Sequence, residues 1–277
     1  MKRNALTVLV LALLITLLPG CTSILGKEED KTRNWTASRF YSEASTALNE
    51  GDYERAIKYY ELLEARYPFG KYAMQAQLDV AYAYYKHGEP DSAIAAADRF
   101  IRIHPRNPHV DYAYYLKGLS NFNRSIDFMT RFLPTDVSQR DAGAAYESFN
   151  DFAELIRRHP QSQYAADARK RLLYLRNLIA QHEVHVAGYY MKRGAYLAAA
   201  NRCKEVVEKY PRTPAVEQAL ETMIDAYTRL NLPKLASDAK RVLDLNREQG
   251  VFDQNAEKPE DRSLARIAWD YMGLDKN

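Results

Sequence analysis

A glycine followed 17 residues later by a proline occurs four times in this chain: Gly51 and Pro68, Gly88 and Pro105, Gly143 and Pro160, Gly194 and Pro211. The register holds between these markers. Five residues after each glycine stand the small side chains Ala56, Ala93, Ser148 and Ala199; twelve after stand the apolar Leu63, Phe100, Leu155 and Val206. Nine after stand Tyr60, Ala97, Phe152 and Cys203, which makes Cys203 a core residue. Two residues past each proline come Gly70, Asn107, Ser162 and Thr213, of which the last three are good helix N-caps. Pro108 and Pro214 follow at the first helical position, where a missing N–H does no harm. Eight past each proline lies an alanine (Ala76, Ala113, Ala168, Ala219), so two helix backbones can approach closely there. Each unit is therefore a helix, a glycine turn, a second helix and a proline stop.

The pattern resembles the tetratricopeptide repeat, with small residues at the helix crossing and a proline closing the second helix. A fifth, degenerate unit has Asn231 in the glycine place, Ala236 five later and Leu243 twelve later. The expected fold is all-α: a right-handed superhelical solenoid of about five helix pairs, over residues 35–248, with some extended helices. Abundant Ala, Leu, Tyr, Arg and Glu with few Gly and Pro agrees with this. Two units exceed the ~34 residues of a standard repeat. One carries an insertion over 121–141. In the other, Ala165, Ala168, Leu172, Leu175, Ile179, His182, Val186 and Tyr189 step by alternating threes and fours, which predicts one long helix with a coiled-coil-like seam.

The ends differ from the body. Lys2 and Arg3 precede the apolar run Ala5 to Leu18, which is shorter than the about 20 residues of a membrane span. This is the layout of a secretory signal peptide over residues 1–20. The cut, Leu18-Pro19-Gly20-Cys21, resembles a bacterial lipobox and makes Cys21 the lipid-attachment site. Several acyl chains there give durable anchoring, where one chain is marginal. Thr22, in place of the aspartate that retains lipoproteins in the inner membrane of that class, points to the outer membrane. Residues 21–34 are polar and read as a flexible leash. Residues 249–277 read as a polar linker and a short amphipathic helix, capped by Ser263 and carrying Leu264, Ile267, Ala268, Tyr271 and Met272 on one face. Loss of Lys2 and Arg3 takes the formal charge from +3 to +1, which makes no electrostatic case for nucleic acid. With Cys21 acylated, Cys203 is the remaining thiol, so no internal disulfide is expected.

The residues point to recognition rather than catalysis. His182 and His185 stand three apart in His-Glu-Val-His, not four apart as in the zinc-protease motif, and His104 and His159 hold a place that is tyrosine in other repeats. They read as packing histidines. No phosphate loop, nucleophile elbow or paired-carboxylate set occurs, and neither metal nor cofactor is expected beyond the lipid on Cys21. The 21 tyrosines cluster at Tyr82-Ala83-Tyr84-Tyr85, Tyr112-Ala113-Tyr114-Tyr115 and Tyr189-Tyr190, partly core and partly a surface suited to peptides. Arg202, one residue from Cys203 and so turned about 100° from it, is expected to leave the packed face and to serve pairing with a partner rather than stability.

Several stretches go beyond the repeat: Arg66-Tyr67-Pro68-Phe69-Gly70, Tyr82-Ala83-Tyr84-Tyr85-Lys86, Asp98-Arg99-Phe100-Ile101-Arg102, Ser162-Gln163-Tyr164 with Asp167-Ala168, and Arg193-Gly194-Ala195 with Asn201-Arg202. With the lipobox and leash, they resemble the BamD family of the outer-membrane β-barrel assembly (BAM) machinery. The resemblance implies a lipid-anchored scaffold on the periplasmic face of the outer membrane that binds BamA and other BAM lipoproteins and helps receive unfolded outer-membrane proteins. It further implies a BamA side at Arg202, Asn201 and Arg193. A peptide or lipoprotein groove is implied at Tyr67, Phe69, Asp79, Tyr82, Tyr85 and Arg99. The competing reading is a tetratricopeptide envelope lipoprotein that scaffolds a peptidoglycan or cell-wall complex.

Overall fold

A computed structural model describes residues 31–125 and 142–252. The signal peptide, Cys21, most of the leash, residues 126–141 of the insertion and the C-terminal amphipathic segment lie outside the described residues. Among the described residues ten helices follow one another: α1 Ala37–Glu50, α2 Tyr53–Arg66, α3 Lys71–His87, α4 Pro90–Ile103 and α5 Val110–Ser125. Then come α6 Gly143–Arg158, α7 Ala165–Lys192, α8 Tyr196–Lys209, α9 Ala215–Arg229 and α10 Pro233–Glu248. Each packs on the next, and first helices also touch one another, α1 on α3, α3 on α5, and α7 on α9. The chain is thus a solenoid of five helix pairs, as the repeat requires.

The repeat positions explain the packing. Ala56, Ala93, Ser148 and Ala199 are all fully buried at the crossings, as are Tyr60, Ala97, Phe152 and Cys203 four residues on. The turns between paired helices need a left-handed residue, and Gly51, Gly88 and Gly194 supply it at φ 80°, 86° and 75°. Asn231 does the same at φ 57°, so the degenerate fifth unit keeps the turn without glycine. Gly143 departs from the scheme: it is the first residue of α6, not the turn before it.

Two further expectations are corrected. Asn107, Ser162 and Thr213 do not cap the following helices; they shape the turn ahead of them. Asn107 Oδ1 accepts from His109 N at 2.8 Å, Ser162 Oγ from Tyr164 N at 3.2 Å, and the Thr213 hydroxyl donates to Tyr210 O at 2.9 Å. The long helix exists, at 28 residues, but its seam does not stay buried. Ala165, Ala168, Leu175 and Ile179 are buried, whereas Tyr189 is 56% exposed and Glu183, Val184 and Ala187 take over inside. A three-four stripe repeats faster than a straight helix turns, so across these 24 residues it drifts by about 120°.

A tight crossing joins α5 to α6. A Cβ on Gly118 would lie 2.5 Å from the fully buried Phe152 ring, and the Ser148 hydroxyl donates to Gly118 O at 3.0 Å. Gly118→Val should therefore cost about 2–3 kcal/mol through overpacking, against a gain below 1 kcal/mol from removing a helical glycine. Thermal melting should fall by roughly 5–10 °C at about 2–4 °C per kcal/mol. An unchanged melting temperature would show that the ring has room to move.

Candidate partner-binding surfaces

The first helices of the N-terminal units share a face lined by tyrosine and aspartate. The Tyr41 hydroxyl on α1 donates to Asp79 Oδ2 on α3 at 2.9 Å, and Gln75 Nε2 donates to Asp79 Oδ1 at 2.9 Å. Burial lifts the Asp79 carboxyl above the ordinary carboxylate range, opposed by these donors. The arrangement recurs two units along, where Tyr115 on α5 donates to Asp167 Oδ2 on α7 at 2.6 Å, joined by Arg171 Nε at 2.6 Å. Burial again opposes ionisation of Asp167, but its two donors outweigh it and hold the carboxyl below its usual value. Each tyrosine–carboxylate bond ties one unit to the next.

Aromatic rings fill the space between these latches. Tyr82 lies 6.4 Å from Tyr85 and 6.5 Å from Tyr112; Tyr112 lies 5.2 Å from Tyr164, which stacks on Tyr115 at 4.7 Å. A row of half-buried rings with hydroxyls offers contact area and hydrogen bonding at small entropic cost.

Of the six groove residues named from sequence, the structure brings Asp79, Tyr82 and Tyr85 together on α3. Arg99 is elsewhere, on the second helix α4, paired with Glu64 of α2 at 2.8 Å. Tyr67 and Phe69 sit in the loop between α2 and α3. Tyr67 donates to Trp35 O at 2.8 Å, while Phe69 is 90% exposed. Sequence reasoning left out Tyr112, Tyr115, Tyr164 and Asp167, although the tyrosine cluster at 112–115 carried the signal.

The second surface surrounds the α7–α8 turn. The Arg193 guanidinium lies over the exposed Tyr189 ring at 5.7 Å. Leu197 is 58% exposed, and the exposed Asn201 follows it one turn along α8. Leu197 was also legible: three residues after the other repeat glycines stand Glu54, Asp91 and Tyr146. Arg202 does not point wholly outward. Its Nη1 pairs with Glu183 Oε2 at 2.9 Å, and Tyr146 donates to Glu183 Oε1 at 2.7 Å. Glu183 is 3% exposed, so Arg202 neutralises a buried carboxylate inside its own chain, which the sequence reading did not foresee.

His104 and His159 pack against neighbouring side chains. His104 Nε2 meets Gln77 Oε1 at 2.8 Å and its ring lies 5.1 Å from Phe100; His159 lies 5.6 Å from Tyr114. Burial pushes the Cys203 thiol up to about 12, so it is an inert core group. Among the described residues, no group of three His, Cys, Asp or Glu side chains is placed to hold a metal. No helix among them is long and apolar enough to cross a membrane.

A family model described as YfiO, outer membrane lipoprotein, matches residues 33–242. A Neisseria gonorrhoeae protein named outer membrane protein assembly factor BamD is 45% identical over 262 residues, covering 94% of this chain and 97% of that relative. Proteins of the same name from Xylella fastidiosa (strain Temecula1 / ATCC 700964) and Vibrio cholerae are 39% identical over 237 residues and 37% identical over 234. They cover 86% and 84% of this chain, and 80% and 95% of their own lengths.

Proposed function

Because this chain belongs to the YfiO family of outer-membrane lipoproteins, which includes BamD, we propose that it is an outer-membrane protein assembly factor acting as a non-catalytic scaffold. The observation that carries this reading is identity of 37–45% with assembly factors of that name over most of both chains. In the proposed arrangement Cys21 bears the lipid and holds the body at the periplasmic face of the outer membrane, and no cofactor is needed. The ridge of Tyr189, Arg193, Leu197 and Asn201 meets BamA, with Arg202 beside it. The exposed Tyr189 with Arg193 stacked over it supports this assignment, since tyrosine and arginine are enriched among the residues that dominate binding energy at interfaces. The tyrosine face at Asp79, Tyr82 and Tyr85 receives extended segments of unfolded outer-membrane proteins or of another assembly lipoprotein.

The test is purification of the chain from native membranes in mild detergent, followed by mass spectrometry. A β-barrel assembly channel should co-purify, and Leu197→Asp with Arg193→Glu should lose it at unchanged helical content. Cys21→Ala should release a folded protein from the outer-membrane fraction. Recovery of cell-wall synthesis proteins without any β-barrel channel would favour the rival scaffold.

A further inference from the structure

In a solenoid of helix pairs, every loop from a second helix to the next first helix lies on one edge. Here that edge carries an uneven charge. The segments 31–42, 65–78, 99–110, 155–166 and 209–216, which hold the chain's entry, its four return loops and the adjoining helix ends, carry twelve Lys and Arg and no Asp or Glu. Arg39, Arg99, Arg157, Arg158 and Lys209 pair with acids just outside these segments, whereas the cations around Phe69 and Ile103 include Lys71, Arg102 and Arg106. The opposite edge in the first two units has Glu50, Asp52 and Glu54 at one turn and Glu89 and Asp91 at the next.

Part of the basic bias is the ordinary complement to helix C-termini, as with Arg66, Arg102 and Lys209. That does not account for Lys71, which opens α3 where the dipole disfavours a cation, nor for Arg106 and Arg212, which lie in loops. Large apolar groups stand among these charges. Phe69 is 90% exposed and Ile103 is 54% exposed.

The chain also enters the body at this edge. Arg66 Nη1 donates to Thr32 O at 2.7 Å, and the Tyr67 hydroxyl donates to Trp35 O. Residues 22–30 therefore lead from Cys21 to the rim that carries Phe69, across at most about 30 Å.

We infer that this rim, centred on Phe69, Lys71, Ile103, Arg102 and Arg106, is a second membrane contact that docks on anionic phospholipid headgroups, with Phe69 as the inserted wedge. The inference rests on the outer-membrane lipoprotein reading for its choice of a bilayer. Exposed cations attract an anionic surface over about a Debye length, and an aromatic at the rim adds short-range apolar burial. The tether would bring the edge near the bilayer, and the edge would then fix the orientation of the solenoid.

The experiment uses the chain from residue 21 onward with Cys21→Ser, so that acylation plays no part. It measures co-sedimentation with vesicles of phosphatidylethanolamine and phosphatidylglycerol, and with neutral phosphatidylcholine vesicles. Partitioning should be confined to the anionic vesicles and should weaken as salt is raised. Lys71→Glu with Arg102→Glu and Arg106→Glu should lower it at least about tenfold, since each such charge near the surface contributes roughly fivefold. Phe69→Ser alone should lower it severalfold while leaving the salt dependence; being at an exposed loop position, it keeps the test open if the triple variant misfolds. Equal partitioning onto neutral vesicles, or none onto anionic ones, overturns the inference, as does charge reversal without effect. If the triple variant instead loses a co-purifying protein while vesicles never bind, the edge faces an acidic protein. In each case co-purification of the assembly channel with the acylated chain still reports on the assembly reading separately.

Discussion

Arg202→Ala should destabilise the fold by about 2–3 kcal/mol, and Glu183→Gln in the same chain should restore at least half of that. Glu183 is almost fully enclosed, with the Tyr146 hydroxyl and the Arg202 guanidinium as its recorded polar partners. Breaking a buried pair by removing one partner typically costs about 3–5 kcal/mol, because the charge left behind is uncompensated. The expected value lies below that range because the Arg202 side chain is 42% exposed, so water can reach part of the vacated space. Neutral glutamine at 183 removes the stranded charge while still accepting from Tyr146. In urea melts followed by circular dichroism, the single variant should have a lower midpoint at unchanged slope, and the double variant should recover. A single variant with an unchanged midpoint would mean that the pair contributes nothing, leaving Arg202 free for a partner alone. If Arg202 both neutralises Glu183 and touches BamA, its removal weakens binding for two reasons. Leu197→Asp, which breaks no internal pair, is therefore the cleaner probe of that surface.

The helix pairs were legible because the repeat confines its informative residues to fixed places. Leu63, Phe100, Leu155 and Val206 each face a crossing that recurs at the same offset, so four copies report one geometry. Asn231 could be placed by offset alone, and its left-handed backbone follows from what the turn demands. What the sequence hid is set by relations between helices. The pairing of Arg202 with Glu183 spans 19 residues and two helices; the repeat says that Cys203 faces inward but not what lies beside its neighbour. Arg99 and Asp79 look alike as polar residues near tyrosine clusters. Only the helix pairing reveals that one sits on a second helix against Glu64 and the other on the first-helix face. The drift of the long seam was calculable from the mismatch between its period and 3.6, yet where burial ends depends on how far the neighbouring helices extend. Leu197 was visible by offset and was missed because a single exposed leucine is ordinary.

Losses at the position nine residues past each repeat glycine should be graded by side-chain size, large at Phe152, and should end abruptly at the last unit. Phe152 is fully buried, lies 6.0 Å from the Tyr115 ring and 6.5 Å from the Phe122 ring, and presses on Gly118. Phe152→Ala removes that ring from a crossing that cannot close, because Gly118 has no side chain to lean in, so a loss of about 3–5 kcal/mol is expected. Cys203→Ala removes one buried atom and should cost about 1 kcal/mol. At the same offset in the fifth unit stands Lys240, whose side chain is 64% exposed and pairs with Asp244. Among the described residues no further unit packs there, and a polar outer face is what the end of a solenoid needs for solubility. Lys240→Ala should therefore change stability by less than about 0.5 kcal/mol. Because each unit touches chiefly its neighbours, hydrogen exchange in Phe152→Ala should accelerate first in α5, α6 and α7 while α9 and α10 keep their protection. A uniform rise across all ten helices would show that the solenoid unfolds as one block. A Phe152→Ala loss no larger than that of Cys203→Ala would refute the assignment of this offset as the packing centre of each repeat.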